Sequence, residues 1–272
     1  MIPFRKWKPF AIALFLFALS CSSSDSAAPR GGTTAYDSPK TFFSTMTKLT
    51  VEVAYEPGAE PYVGNGPTGH PLWDFVKDNL DALFTGRPTA VTVTVPTTLE
   101  EMQAIPDQTN VTFSIDAIYT LAEKYRKGRS TATDGNFFLI FLDGYYEEDG
   151  VKNESVIGIN ISGTTILAMF KPVIKSTSAG GGAFVPKFVE LTTAVHEMGH
   201  GLGLVNNGIP MATSHQDADS EHGKHCNNDQ CVMYYLNEGA ADLKAFVVQV
   251  LLSGNTVVFD QKCLDDARAY RP

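Results

Sequence analysis

The sequence predicts an α+β protein, with an α/β-like first part followed by an irregular part that ends in helices. Three observations predict this class. Strand patterns recur over residues 48–171, helical patterns lie between them, and residues 205–232 are polar, irregular and rich in histidine, cysteine and acidic side chains. We therefore expect one domain, with a sheet-based subdomain over residues 47–204 and a smaller subdomain over residues 205–272 across a cleft.

The predicted strands differ in the environment that they require. Residues 48–56 and 90–95 alternate apolar and polar side chains, which is typical of half-buried strands. Residues 136–142 are apolar throughout, as expected for a central strand that is covered on both faces. Residues 156–161 and 164–171 form two further strands with a tight Ser-Gly turn between them, so the sheet is predicted to finish on a hairpin.

Helical periodicity predicts the elements between and after the strands. Apolar residues recur at three- and four-residue spacing from residue 72 to residue 84. A second helical pattern begins at Ser114, a residue type that favours a helix N-terminus. The chain closes with helical patterns over residues 240–252 and around residues 264–270.

The N-terminus has the pattern of an export signal. Three basic residues precede an apolar stretch over residues 10–19, which is too short to cross a bilayer as a mature helix. The stretch ends in Ala-Leu-Ser-Cys and resembles a bacterial lipoprotein signal. This resemblance implies that residues 1–20 are removed and that Cys21 carries a lipid anchor to the membrane; an ordinary secretory signal is the alternative. The small polar residues that follow predict a flexible tether over residues 21–46.

Composition and charge limit the classes of partner. The chain has 272 residues, of which 43% are hydrophobic and 19% charged, as in ordinary globular proteins with an apolar core. The formal net charge is −9, and lysine and arginine are not clustered. A surface that follows nucleic-acid phosphates needs such clusters, so we predict no nucleic-acid partner.

The sequence His-Glu-Met-Gly-His begins at His196, within a helix that is predicted to start near Phe188. His196 and His200 are one helical turn apart, so both imidazoles project from one face and can share a zinc ion at about 2.0 Å. Glu197 lies beside them, where a carboxylate can take a proton from a metal-activated water and pass it to the leaving amine. The pattern predicts zinc-dependent peptide-bond hydrolysis with Glu197 as general base and acid.

The motif extends to His-Glu-x-x-His-x-x-Gly at Gly203, and in this form it resembles the metzincin clan of zinc peptidases. In that clan a third ligand follows three residues after the glycine, where this chain has Asn206. A neutral amide is a poor ligand for Zn²⁺. The third ligand is therefore expected from elsewhere in the chain.

The segment His-Cys-Asn-Asn-Asp-Gln-Cys-Val-Met, which begins at His225, resembles the archaemetzincin arrangement of a final ligand histidine, two cysteines and a methionine. The resemblance implies that His225 is the third zinc ligand, whereas His215 and His222 in the same loop are the alternatives. It also implies that Met233 forms the methionine turn beneath the metal. Tyr235 then occupies the position of a tyrosine that stabilises the tetrahedral intermediate.

Three cysteines lie in the mature domain, namely Cys226, Cys231 and Cys263. Because the chain is predicted to be exported, one disulfide with one cysteine left over is the simplest expectation, and the pairing stays open. Archaemetzincins complete a second zinc site with four cysteines. Three thiols exclude a four-thiolate site in this domain.

The resemblance also implies a fold and a mode of substrate binding. It implies a twisted mixed sheet with two helices before the active-site helix, and an antiparallel edge strand formed by residues 156–161 or 164–171. An extended peptide would add to that edge through main-chain hydrogen bonds. We therefore predict a membrane-anchored zinc endopeptidase that acts on peptides or proteins. The alternative is a noncatalytic zinc-binding surface lipoprotein, which Asn206 favours and Glu197 disfavours.

Overall fold

The computed structural model describes residues 32–179, 182–238 and 240–272, so the predicted signal peptide and Cys21 lie outside the described residues. The helices are α1 (Pro39–Ser44), α2 (Asp74–Phe84), α3 (Ile115–Tyr125), α4 (Lys171–Ser176), α5 (Val185–Gly201), α6 (Ala240–Ser253) and α7 (Gln261–Ala269). The strands are β1 (Lys48–Tyr55), β2 (Thr92–Thr94), β3 (Gln103–Ala104), β4 (Thr112–Phe113), β5 (Asp134–Leu142), β6 (Tyr145–Glu148), β7 (Val151–Asn153), β8 (Gly158–Asn160) and β9 (Ile166–Phe170). Among the described residues, no helix combines the length and the apolar character needed to cross a membrane.

A mostly parallel sheet with the strand order β2-β1-β5-β9-β8 forms the centre of the fold, and β3 also pairs with β1. Strands β1, β2, β5 and β9 run parallel, whereas β8 is antiparallel to β9. The predicted mixed sheet is confirmed. The antiparallel edge is β8, which lies within residues 156–161 and not within residues 164–171.

The position of each strand explains its sequence. Strand β5 lies between β1 and β9, and it is buried from Gly135 to Leu142, so both of its faces require apolar side chains. Helix α5 contacts β8 and β9, and α3 also contacts β9. A second, smaller sheet has the order β4-β6-β7, and the sequence did not predict it because its strands have two to four residues, too few for a periodic pattern.

The folded domain begins earlier than predicted, because the last part of the expected tether is helical. The Ser38 side chain caps α1, and Phe42, Phe43 and Met46 are buried. The tether prediction is therefore wrong for residues 39–46. The small polar residues that follow Cys21 supported that prediction, but these large apolar side chains fill space beneath β1 and β5, as the contact between the Phe42 and Phe137 rings shows (centroids 5.8 Å apart).

A buried polar network holds the residues just before α1. The Asp37 carboxylate lies 3.3 Å from the Arg126 guanidinium and accepts hydrogen bonds from the Ser130 and Thr165 hydroxyls at 2.5 and 2.9 Å. Arg126 also donates to the Asn136 side chain at 3.0 Å. Arg126 and Ser130 follow α3, Asn136 belongs to β5, and Thr165 directly precedes β9. The network therefore fixes the N-terminal segment to the central sheet.

Replacement of Phe43 by alanine is expected to lower the free energy of unfolding by about 3–5 kcal/mol, because a wholly buried aromatic ring is lost and a cavity remains. The measurement is urea-induced unfolding of the purified chain at an unchanged m-value. Tyr36→Ala is the matched control, because Tyr36 is exposed and its loss is expected to change stability by less than about 0.5 kcal/mol. If both variants changed the free energy of unfolding by less than about 0.5 kcal/mol, residues 32–46 would behave as a tether.

Candidate metal centre

Helix α5 carries the predicted motif through the interior of the protein. It begins at Val185, three residues before the predicted start, and Pro186 lies in its first turn, where a missing amide proton costs nothing. Its buried residues include both His196 and Glu197. The helix ends one residue before Leu202, so the motif occupies its last turns.

The turn after α5 needs glycine at residue 203. Gly203 has a φ of +86°, and a Cβ atom there would lie 2.6 Å from the Pro39 ring. Asn206 follows with a φ of +58°, a left-handed conformation that asparagine tolerates better than most residues. The Asn206 side chain is exposed, so it lies outside the buried cluster that is described next.

The structure brings His196, His200 and His225 together. The Nε2 atom of His200 lies 3.1 Å from that of His196 and 3.1 Å from that of His225, and the Nε2 atoms of His196 and His225 are 3.3 Å apart. Three nitrogen ligands of a tetrahedral zinc ion, each at about 2.0–2.1 Å from it, lie about 3.3 Å from one another. The triangle therefore has the dimensions of a three-histidine metal site.

Hydrogen bonds set the orientation of two of these imidazoles. The Nδ1 atom of His196 lies 2.7 Å from the Val232 carbonyl oxygen, and that of His225 lies 2.5 Å from the His222 carbonyl oxygen. A carbonyl oxygen only accepts, so both Nδ1 atoms donate and both Nε2 atoms present lone pairs to the centre of the triangle. Two such lone pairs at 3.3 Å repel each other unless a cation lies between them.

Electrostatics favour the neutral form of His200. Burial, together with the neighbouring His196 and His225, holds the pKa of His200 well below its usual value near 6.5. Neutral imidazoles are the form that binds metal ions. Three neutral nitrogen ligands, with a fourth position left for water, are a donor set found in catalytic zinc sites. The residues present therefore fit Zn²⁺.

The two alternative histidines lie outside the triangle. The His222 ring stacks on Tyr235, with centroids 3.5 Å apart, and its Nδ1 atom is 3.1 Å from an Asp217 oxygen. The His215 ring is wholly buried, with Nε2 2.7 Å from Asp266 and Nδ1 3.3 Å from the Cys226 sulfur. Sequence alone left the choice open, because all three histidines belong to one irregular loop.

Met233 lies against the motif helix. A Cβ atom on Gly199 would be 2.4 Å from the Met233 Sδ atom, so this close approach requires glycine. Met233 is wholly buried, and the preceding residue, Val232, provides the carbonyl that orients His196. This segment therefore packs against α5 and positions a histidine.

Glu197 and Tyr235 complete the set of predicted catalytic residues. Glu197 follows His196 on α5 and is 5% exposed, so its carboxylate belongs to the protein interior. Tyr235 begins a short 3-10 turn and is half-buried. Its ring packs between those of His222 and Tyr234, which places it beside the loop that delivers His225.

The predicted disulfide is absent from the structure. Cys226, Cys231 and Cys263 are all buried and none of them forms a disulfide bond within the described residues, and the Sγ atoms of Cys231 and Cys263 are 3.6 Å apart. A disulfide bond is about 2.05 Å long. The disulfide was predicted because export favours oxidation of cysteines. The export signal gives no information on the distances between the three sulfurs in the folded chain.

Comparisons with known proteins give little further information. No protein-family model and no curated protein matches the chain. One solved structure that resembles it is a zinc-dependent peptidase from Methanocorpusculum labreanum, with a TM-score of 0.43 and 13% sequence identity over 80% of this chain and 99% of that chain. Neither a shared fold nor a shared activity follows from similarity at this level, so the function depends on the site itself.

Proposed function

We propose that this protein is a zinc-dependent peptidase, and more specifically an endopeptidase. The observation that carries the proposal is the triangle of His196, His200 and His225 Nε2 atoms, 3.1–3.3 Å apart, with Glu197 beside it in the same helix. A purely structural zinc site needs no adjacent carboxylate. A peptidase needs one to move protons.

The three histidines would hold Zn²⁺, which supplies Lewis-acid activation of a water molecule and of the scissile carbonyl when it is bound. Glu197 accepts a proton from the attacking water as the new carbon–oxygen bond forms. It then gives this proton to the amine nitrogen as the carbon–nitrogen bond breaks, so the carboxylate is regenerated in each turnover. Tyr235 is proposed to stabilise the tetrahedral oxyanion through its hydroxyl group.

The edge strand β8 is the proposed binding place for the peptide. Among the described strands β8 pairs only with β9, so its other edge offers main-chain donors and acceptors. Helix α5 contacts β8, which brings this edge close to the helix that bears the histidines. An extended substrate that adds to β8 would be held through its backbone and with little dependence on its side chains.

The place of action is proposed from the N-terminal pattern. Residues 1–20 and Cys21 lie outside the described residues. Their basic, apolar and Leu-Ser-Cys pattern supports export and a lipid anchor on Cys21. The substrates would then be peptides or proteins on the outer side of the membrane to which the chain is attached.

The noncatalytic alternative has lost its main support. It depended on Asn206 in the expected third-ligand position, but the Asn206 side chain is exposed and His225 occupies the third corner of the triangle. A zinc endopeptidase and a noncatalytic zinc-binding protein would then differ only in whether they cleave peptide bonds.

The purified chain is expected to contain zinc and to cleave casein, to lose cleavage in a chelator, and to recover it when zinc is restored. His225→Ala should abolish cleavage, because the triangle loses one ligand. His70→Ala is the matched control, since His70 is exposed and outside both described groups of metal-binding side chains. Cleavage that is unaffected by chelation, or that survives in His225→Ala, would overturn the proposal.

A further inference from the structure

A second group of side chains that could hold a metal ion is separate from the three-histidine site. The ligand atoms of His215, Cys226, Cys263 and Asp260 all lie within 4.8 Å of one another, and Cys231 adjoins them; the histidine and the three cysteines are wholly buried. The Nδ1 atom of His215 lies 3.3 Å from the Cys226 sulfur and 4.0 Å from the Cys263 sulfur, and the sulfurs of Cys231 and Cys263 are 3.6 Å apart. Three sulfurs and an imidazole nitrogen from separate parts of the chain therefore lie next to one another in the interior.

These three distances are close to the ligand–ligand separations around a tetrahedral zinc ion. With Zn–S bonds of about 2.3 Å and Zn–N bonds of about 2.0–2.1 Å, the edges of a tetrahedron measure about 3.6–3.8 Å. The observed separations of 3.3–4.0 Å lie on either side of those values. Thiolates and imidazole nitrogens are the ligands that zinc prefers in structural sites.

The surroundings of the group are those of a metal site. The Nε2 atom of His215 lies 2.7 Å from the buried Asp266 carboxylate, which directs Nδ1 at the sulfurs in the way that carboxylates orient ligand histidines. The other Asp266 oxygen accepts the Ala212 amide at 2.7 Å. The Asp260 amide donates to the Cys231 sulfur at 3.4 Å.

Asp260 is near the group but has another task. One of its oxygens accepts the Cys263 amide at 3.0 Å, as the N-terminal cap of α7, and the other accepts the Asn228 side chain at 2.9 Å. Both oxygens are therefore engaged. The Cys231 sulfur, 3.6 Å from that of Cys263, is a softer ligand that suits zinc together with the other two thiols, so Cys231 is the better fourth ligand.

We propose that Cys226, Cys231, Cys263 and His215 hold a second zinc ion, in a structural site that is separate from the three-histidine centre. Four protein ligands close the coordination sphere and leave no position for water. The histidine supplies the ligand that a four-thiolate site would lack in this domain.

The second ion would hold the first site in place. Cys226 directly follows His225, and its amide donates to the Met233 carbonyl at 2.7 Å. Cys231 precedes Val232, whose carbonyl orients His196. A metal ion that joins Cys226 and Cys231 to α7 therefore fixes both ends of the segment that completes the three-histidine triangle.

The test examines the second site in a variant from which the three-histidine centre has been removed. In full-length His196→Ala/His200→Ala, which lacks the three-histidine centre, we expect one zinc ion per chain, against two in the unmodified protein. Substitution with cobalt should give thiolate-to-metal charge-transfer absorption in this variant. Addition of Cys263→Ser should remove the ion and the absorption, whereas addition of His222→Ala, in the same loop but outside the group, should retain both.

The outcome does not depend on peptidase activity, so it distinguishes failure of this inference from failure of the proposed function. Absence of zinc from the folded His196→Ala/His200→Ala variant would overturn it. If Cys263→Ser does not fold, a second measurement on the unmodified protein tests the same site. The protein is alkylated in denaturant and chelator without reductant, and the modified cysteines are mapped by mass spectrometry. All three cysteines should be alkylated, and a disulfide among them would contradict a thiolate site.

Discussion

Glu197→Gln is expected to lower the rate of casein cleavage by about 10²- to 10⁴-fold, the usual contribution of a general base or acid. Glutamine has nearly the size of glutamate, so packing of this buried position on α5 is retained. An amide does not accept a proton from water at neutral pH. The zinc content should remain unchanged, because the three histidines are intact.

The control for this variant is Glu221→Gln, which removes a carboxylate from the exposed part of the loop before His225. Its cleavage rate should equal that of the unmodified protein. A Glu197→Gln variant that cleaves at the full rate would show that another group moves the proton. Zinc binding without cleavage in the unmodified protein would instead favour the noncatalytic alternative.

Glu190→Gln is expected to lower the free energy of unfolding by about 3–5 kcal/mol, because it leaves a buried lysine charge without its partner. Glu190 on α5 and Lys171, the first residue of α4, form a hydrogen-bonded ion pair, and both side chains are at most 2% exposed. The Lys171 ammonium also lies 3.6 Å from the centre of the Tyr62 ring. Burial raises the pKa of Glu190 and lowers that of Lys171, and the charge of each partner opposes the shift.

The design of this variant isolates the charge. The second Glu190 oxygen accepts the Tyr62 amide at 2.6 Å, and the amide oxygen of glutamine can still accept it. The double variant Lys171→Met/Glu190→Gln should lose less stability in urea than the sum of the two single variants.

An exposed ion pair provides the comparison. Lys77 and Asp81 form a pair in α2 with side chains 44% and 40% exposed, so Asp81→Asn should cost less than about 1 kcal/mol. If Glu190→Gln cost no more than Asp81→Asn, the buried pair between α4 and α5 would contribute no more to stability than an exposed one.

The strands and helices that the sequence predicted correctly are those with long and regular patterns. Strand β5, helix α2 and helix α3 were found within a few residues of their predicted bounds, because burial of one or both faces leaves a periodic mark. Helix α1 has six residues and was missed. Its buried phenylalanines follow a polar segment, and only contacts with distant strands explain why they are ordered.

What the sequence by itself determined is the half of the site that is local. One turn of helix places His196 and His200 on a common face with Glu197 beside them, whatever the rest of the chain does. Only the tertiary structure brought His225, and not His215 or His222, to the two helical histidines, and it placed Cys226 beside His215 and Cys231 beside Cys263 without a disulfide bond. The physical reason is that a helix fixes neighbours through its own hydrogen bonds, whereas a loop is positioned by the side chains it meets.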